Sequence, residues 1–262
     1  MLRYLRLYAH FLRFSFSKAM QFRLDFSFRF VMDLAFYAVQ IAFFEVLYRH
    51  TALLAGWTKE QSLAFLAGYF CLDALHMSVF SSNMWYFPFL VNQGNLDGYL
   101  VRPVSSLFFV SFREFAANSF LNLLVAAGIL AWALSRLPGG PGAANTLLFL
   151  ALLVNGCLLY WIVQMCFLIP VFWTQSGQGF FEMFYTFLNC VMRPDGLFTG
   201  WARRILLSVL PFSLMASFPA RVLFEGWSSA RVGHIAVVTL SAFLFLRWFW
   251  ERGLRVYASA SS

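Results

Sequence analysis

The chain has 262 residues and a formal net charge of +8, with 61% hydrophobic and only 11% charged residues. Soluble domains carry about 25% charged residues, so this composition excludes an ordinary soluble enzyme. It predicts an all-α membrane protein, folded as a single transmembrane domain over residues 1–262, with room for about six spans of roughly 20 residues. The basic residues lie beside apolar segments, which favours anionic membrane lipid over nucleic acid as a partner.

The first 23 residues lack the compact apolar core and small-residue cleavage site of a signal peptide. Basic and polar side chains recur there at spacings of three and four, which places them on one face of a helix. We expect residues 1–23 to form an amphipathic helix in the cytoplasmic interface. The alternative is a positive leader that only fixes orientation, and both interpretations put the N-terminus in the cytoplasm. The residues of this face are Arg3, Arg6, His10, Arg13 and Ser17.

Six spans are predicted from the long apolar runs. The turn Leu137–Gly142 separates the third from the fourth, and Pro170 with Gly177 and Gly179 separates the fourth from the fifth. An even number of spans returns the C-terminus to the cytoplasm. The predicted spans are Phe30–Tyr48, Leu63–Phe80, Phe115–Leu134, Thr146–Ile169, Trp173–Met192 and Val232–Trp250.

The segment between the fifth and sixth spans has an unusual composition. Five arginines lie in Arg193–Arg231, around an apolar run, Ile205–Leu223, that contains Pro211 and Pro219. Helices broken in this way are tolerated at membrane depth where protein or a water-filled cavity covers them. We therefore predict an outer re-entrant helical hairpin over residues 193–229. The alternative is a seventh span, which would place the C-terminus outside.

The sequence contains no recognisable catalytic or metal-binding motif. It has no GxxxxGK[ST] phosphate loop, its two lysines (Lys18 and Lys59) are not near glycines, and no HExxH or metal-spaced His/Cys cluster occurs. We expect no catalytic residue, no metal site and no cofactor bound by this chain. The cysteines lie in apolar runs without CxxC spacing and are interpreted as small buried hydrophobes. They are Cys71, Cys157, Cys166 and Cys190.

Ionisable residues within the predicted spans have two interpretations. Asp73 and His76 are one helical turn apart in the second span, and Glu182 lies in the fifth. Such groups are costly in a bilayer and mark either proton relays or polar contacts between helices. The first interpretation predicts a proton-coupled transporter, and the second predicts polar pairs that fix helix packing. Asp33 and Glu45 in the first span have the same two interpretations.

The segment Asn92–Pro103, which we call the island, is a short polar stretch between two apolar runs. Its two leucines are four residues apart, so a short helix would place them on one face, with a carboxylate and an arginine remaining polar. Its proline prevents an unbent continuation of the helix. A short amphipathic helix of this kind suits a groove on a partner protein. The island residues singled out are Gly94, Leu96, Asp97, Gly98, Leu100, Arg102 and Pro103.

Three parts of the sequence resemble one family. The island sequence GNLDGYLVRPVS resembles the G-x-L-D-x-x-L-x-R-P segment of a subgroup of ABC-2 type transporter permeases, the transmembrane subunits of bacterial ABC exporters. The stretch Arg193–Trp227, with its PF and FPA elements, and the ending FWERGLRVYASAS are similar to the same subgroup. The resemblance implies six transmembrane helices and an outer re-entrant hairpin. It also implies a multi-pass protein of the bacterial cytoplasmic (inner) membrane with both termini in the cytoplasm.

The resemblance further implies a function for the island. Residues 83–105 would form a cytoplasmic coupling loop that receives the stroke of a separate, dimeric ATPase, which itself binds ATP and Mg. A second permease subunit, the same or a related chain, would complete the path for a lipidic, polymeric or drug-like substrate. Two other hypotheses stay open: a secondary transporter driven by protons through Asp73, His76 and Glu182, and a non-transporting scaffold or assembly factor.

Overall fold

The computed structural model describes residues 2–19 and 23–257, and these residues are almost entirely helical. The prediction of an all-α protein is confirmed for them, since only an isolated bridge between Leu54 and Trp57 has β character. Predictions for residues 20–22 and for the ending after Tyr257 lie outside the described residues. The helices are α1 (Leu2–Ala19), α2 (Arg23–His50), α3 (Lys59–His76), α4 (Ser82–Asn92), α5 (Asp97–Leu100), α6 (Ser106–Phe112), α7 (Ala117–Ser135), α8 (Ala143–Leu168), α9 (Val171–Thr174), α10 (Gln178–Leu188), α11 (Gly200–Ser208), α12 (Phe212–Met215), α13 (Ser217–Glu225) and α14 (Ser229–Val256).

Within the described ranges, four helical segments are long and apolar enough to cross a membrane. They correspond to the predicted first, second, fourth and sixth spans. The apolar helix at the third span is shorter, and α10, at the fifth, has 11 residues and ends in turns. The count of six spans therefore stays a prediction. The four segments are Ser27–His50, Lys59–Asn92, Ala143–Thr174 and Ser229–Val256.

The second of these segments is longer than expected. Its helix begins at a capping box, in which Thr58 and Gln61 satisfy each other's backbone N–H groups. A single π-turn, Met77–Ser81, joins α3 to α4, and the helix then continues through Pro88 to Asn92. The predicted end of the second span at Phe80 is wrong, because the aromatic run after it stays helical and only the residues from 93 onward leave the helix.

The π-turn is a point of contact with the start of α7. The carbonyl oxygen of Ser78 accepts a hydrogen bond from the Ala116 backbone N–H at 2.8 Å. Just after the turn, the Asn83 side-chain amide donates to the Glu114 carbonyl oxygen at 2.8 Å and accepts from its N–H at 2.9 Å. These bonds tie the segment before α7 to the middle of the long helix.

Helix α8 lies at the centre of the bundle, in contact with α3, α12, α13 and α14. Glycines permit two of these close approaches. A Cβ on Gly68 would lie 2.7 Å from the Phe149 ring, and a Cβ on Gly156 would lie 2.1 Å from the Met215 carbonyl oxygen. Ala64 and Gly68 are both buried and four residues apart. This is the small-xxx-small spacing that lets membrane helices approach closely.

The two ends of the bundle have different surroundings. We call the end that carries α1 and the island the lower end, and the end that carries the connection Thr51–Thr58 the upper end. Along the lower end, α1 packs on α6 through edge-to-face aromatic pairs, and the Ser105 N–H donates to the Tyr4 hydroxyl at 3.3 Å. The ring pairs are Tyr4–Phe108, Tyr8–Phe112 and Phe11–Phe109.

The segment from 193 to 229 contains a 3-10 turn, Asp195–Leu197, and three short α-helices. The longest of them, α11 and α13, have nine residues each, or about 14 Å at 1.5 Å per residue, and the chain bends at Pro211 between them. A seventh span as one helix over Ile205–Leu223 is therefore wrong. Helix α12 is buried against α8. The re-entrant position of this segment in a bilayer stays a prediction.

Candidate functional site

The island folds as a compact turn directly after α4. Gly94 has a φ of +71°, in the left-handed region that favours glycine and commonly ends a helix. The chain then folds back, with the Leu96 N–H bonded to the Leu90 carbonyl oxygen at 3.2 Å, and makes one turn of helix as α5. The loop closes with a bond of 2.8 Å from the Val104 N–H to the Arg102 carbonyl oxygen. A continuous series of backbone bonds thus gives the island a defined shape.

The two leucines of the island differ in burial. Leu96 is fully buried in a core cluster that includes Met84 and Phe87 of α4, whereas Leu100 is 38% exposed. The expectation that both leucines lie on an outer face is wrong. They are one helical turn apart, with the Leu100 N–H bonded to the Leu96 carbonyl oxygen at 3.2 Å, but the chain folds back on α4 at Leu96 and leaves only Leu100 exposed. The outward apolar pair is Leu100 and Val101.

Val101 is the residue that the sequence interpretation missed. Its side chain is 82% exposed, next to the exposed Arg102 and Pro103. The signal was an isolated β-branched residue between a leucine and a charged residue in a polar loop. Gly98 is also exposed, and a Cβ there would meet open space, so sterics alone do not require glycine at this position.

The island is bound to α6 by aromatic and cationic contacts. The Arg102 Nε donates to the Gly98 carbonyl oxygen at 3.1 Å, and its guanidinium lies 4.7 Å from the centre of the Phe109 ring. Tyr99 packs on the same ring at 5.0 Å, and its hydroxyl accepts a hydrogen bond from Arg113. Arg102 therefore lies against α6 and does not project fully into solvent.

The end of α14 meets the island on another side. Tyr257 lies beside Asp97, and burial together with that carboxylate raises the pKa of Tyr257. Two turns earlier in the chain, the Trp250 indole Nε1 donates to the Ser106 hydroxyl at 3.2 Å. Phe172, after α8, packs edge-to-face against both aromatic residues. The island is therefore held by α4, α6 and the end of α14 together.

The three candidate relay residues do not meet. His76 is buried and stacks on Tyr160 with ring centres 3.6 Å apart, and Asp73 is half-buried one turn away. Glu182 is exposed, accepts a hydrogen bond from Gln178 at 3.1 Å and lines a separate cavity of about 450 Å³. In the part of the chain that the structure describes, no hydrogen bond or ion pair connects Glu182 with Asp73 or His76.

Asp33 and Glu45, the two carboxylates of α2 singled out from the sequence, have local partners. The Asn122 side-chain amide of α7 donates to the Asp33 carboxylate. Glu45 forms an ion pair with Lys59 at 2.7 Å, near the upper end. Both contacts join neighbouring helices, which is what the packing interpretation of these residues expects.

A second polar centre at the upper end was not found from the sequence. Asp195 is fully buried and accepts hydrogen bonds from Arg221 (Nε at 3.0 Å and Nη2 at 2.9 Å), from Arg203 at 2.9 Å and from the Ser217 hydroxyl at 2.8 Å. The Arg221 guanidinium also lies 5.8 Å from the Trp57 ring, in the α2–α3 connection. The arrangement satisfies a buried carboxylate and joins distant parts of the segment from 193 to 229 to one another. The Arg221–Trp57 contact extends it to the α2–α3 connection.

Comparison with known proteins gives one match. A family model described as an ABC-2 family transporter protein matches residues 34–261, which is most of the chain and includes the island. No curated protein and no solved structure matches the chain.

Proposed function

Because the chain belongs to the ABC-2 transporter family, we propose that it is the permease of an ABC exporter and that its island receives a separate ATPase. Family membership makes it a multi-pass transmembrane permease component that is not itself catalytic, in agreement with the resemblance of its island and C-terminal half. Partnership with an ABC ATPase follows from the family. The docking site, the direction of transport and the other subunits are our proposals.

One observation carries the assignment of the island as the docking site. An exposed apolar pair, Leu100 and Val101, stands on a compact turn that is anchored in the bundle through Leu96 and Tyr99. Exposed apolar groups on a short helical turn suit insertion into a groove on a partner. A rigid support lowers the entropy lost on binding, so contacts made there are strong for their area.

The contacts of the island offer three routes for a mechanical stroke. Leu96 connects it to the core beside α4, the Tyr99–Arg113 contact connects it to α6, and Asp97 lies against Tyr257 at the end of α14. A displacement of the island would therefore be transmitted to these three helices together. ATP and Mg would bind to the ATPase dimer, and this chain would supply only the receiving surface.

We further propose that the lower end faces the cytoplasm of a bacterial inner membrane. The basic face of α1 suits the anionic lipid and positive charge bias of that side. Both termini would then be cytoplasmic, and the ATPase would approach the island from the same side. A second permease, the same or a related chain, would complete the translocation path.

A cavity beside the long helix supports an amphipathic substrate. It has a volume of about 670 Å³, between α2, the π-turn and the start of α7. Apolar side chains such as Met32 and Trp85 line it together with Arg29 and Asp33. Lipidic and drug-like compounds combine these two characters, and export of such a compound is the proposal.

The docking site is tested by co-expression of the chain with an ABC ATPase that forms a complex with the wild-type chain. Val101→Asp places a charge in the proposed contact without disturbing a buried group, so we expect normal membrane insertion, weaker capture of the ATPase and at least a fivefold loss of transport-coupled ATPase activity. Leu53→Asp is the matched control, since Leu53 is an apolar residue of the upper end with 55% exposure. It should assemble and couple normally.

Normal assembly and full coupling of the Val101→Asp complex would overturn the docking site. Equal losses in both variants would indicate a general effect of the added charge and would also contradict the proposal. We expect a cysteine introduced at Gly98 to be labelled from the cytoplasmic side only. Labelling from outside would contradict the proposed orientation.

A further inference from the structure

A basic pocket lies where α1 meets the island. It has a volume of about 630 Å³ and contains three residues that can carry positive charge: Arg6 and His10 from α1 and Arg102 from the island. Apolar groups, including Leu7 and Phe109, form the rest of its wall. None of the described residues that line it is acidic.

The two parts of the chain that carry the basic residues, α1 and the island, are each held against α6. Arg6 and His10 are four residues apart, so they lie on the same face of α1, and α1 is held against α6 by its aromatic pairs. Arg102 is held by its bond to the Gly98 carbonyl oxygen and by its stacking on Phe109. The pocket is therefore formed jointly by two parts of the chain about 100 residues apart, with positive groups directed into one space.

From this geometry we infer a binding site for the phosphate of an anionic phospholipid, closed by Arg6, His10 and Arg102. Arginine pairs well with phosphate because two N–H groups of its planar guanidinium can bond two phosphate oxygens at once. The apolar wall suits the glycerol and upper acyl part of a lipid. The amphipathic α1 would hold the pocket at headgroup depth, where such a lipid is present at high local concentration.

This site goes beyond the docking role of the island and does not depend on it, since lipid binding can be measured on the chain without an ATPase. A lipid bound here would join α1 to the island. The lipid composition of the membrane would then affect how firmly the island is held.

The test is native mass spectrometry of the purified full chain, with phosphatidylglycerol or phosphatidylcholine added at matched concentrations. We expect phosphatidylglycerol to bind at least fivefold more tightly than phosphatidylcholine. Arg6→Gln and Arg102→Gln should each weaken phosphatidylglycerol binding about fivefold, and the double variant more than tenfold, with phosphatidylcholine binding unchanged. Arg6→Lys keeps the charge and should retain most of the preference.

The matched control is Arg252→Gln, which removes one positive charge from the exposed end of α14, outside the pocket. It should leave the lipid preference at the wild-type level. Equal binding of the two lipids by the wild type, or an equal loss in the control, would overturn the site. Displacement of phosphatidylglycerol by millimolar inorganic phosphate would overturn the lipid as its occupant and assign the pocket to a soluble phosphate. Unchanged elution of each variant in size-exclusion chromatography verifies that it is folded.

Discussion

At the lower end the island is fixed by many apolar and aromatic contacts. At the upper end the polar contacts of the segment from 193 to 229 converge on the single carboxylate of Asp195. Apolar contacts are roughly additive, so the loss of one weakens the island in proportion to the area lost. A buried ionic cluster behaves differently, because removal of one partner leaves the others desolvated without compensation. The polar cluster of the upper end thus depends on one residue, whereas the island is supported by many contacts and still exposes an apolar pair.

The largest expected effect is at the upper end. Asp195→Asn removes the charge that Arg221 and Arg203 share, and leaves Arg221, whose side chain is only 17% exposed, with Glu225 as its remaining ion-pair partner. We expect a loss of about 3–5 kcal/mol in the free energy of unfolding. Thermal unfolding in detergent measures it, and an unchanged unfolding temperature would contradict the description of the upper end.

The next effect is at the lower end. Leu96→Ala opens a cavity in the cluster beside α4, and we expect it to cost about 3 kcal/mol. Leu100→Ala, the matched control from the same turn, should cost less than about 1 kcal/mol because the side chain is partly exposed already. The same unfolding measurement compares them, and equal losses would show that the two leucines face the same surroundings after all.

A smaller effect is expected between the two ends. Gly156→Ala places a Cβ against the Met215 carbonyl oxygen, so α8 and α12 must separate at a cost of about 2 kcal/mol. Gly128→Ala is the control, since a Cβ there meets nothing within 4 Å and alanine favours the helix. Chemical denaturation with a fluorescence readout should rank Gly128→Ala at or above the wild type and Gly156→Ala below it. The reverse order would contradict the close approach.

The smallest effect sharpens the contrast within the upper end. Glu45→Gln breaks an ion pair whose two side chains are both about 40% exposed, at 42% for Glu45 and 40% for Lys59. Exposed pairs contribute less than about 1 kcal/mol. The unfolding temperature should therefore move by only a few degrees, far less than for Asp195→Asn. A comparable fall in both would mean that burial does not distinguish the two contacts.

Much of the fold could be predicted from apolar runs alone. The long helices α2, α8 and α14 coincide with predicted spans because about 20 apolar residues have few other stable arrangements in a membrane. The helix of the second span extends beyond the predicted bounds Leu63–Phe80, since the aromatic run before the island stays helical to Asn92. Tertiary contacts decide such boundaries.

The site was located from sequence but not fully oriented. The island stood out by its polarity, whereas its outer face depends on the turn at Gly94, which has a positive φ. After this turn the chain folds back on α4 at Leu96, and the leucine spacing alone does not reveal that contact. Asp195 could not be singled out, because its main partner, Arg221, is 26 residues away and only the folded chain brings them together.

The π-turn at Met77–Ser81 has a consequence for experiments along the longest helix. A π-turn holds one more residue than an α-turn, and each helical residue advances by about 100° and 1.5 Å. A helical wheel drawn continuously from Lys59 to Asn92 therefore assigns the wrong face to every position after Ser81. Accessibility scans of this helix should be fitted with two phases, one for α3 and one for α4, and the break between them gives the position of the turn in solution.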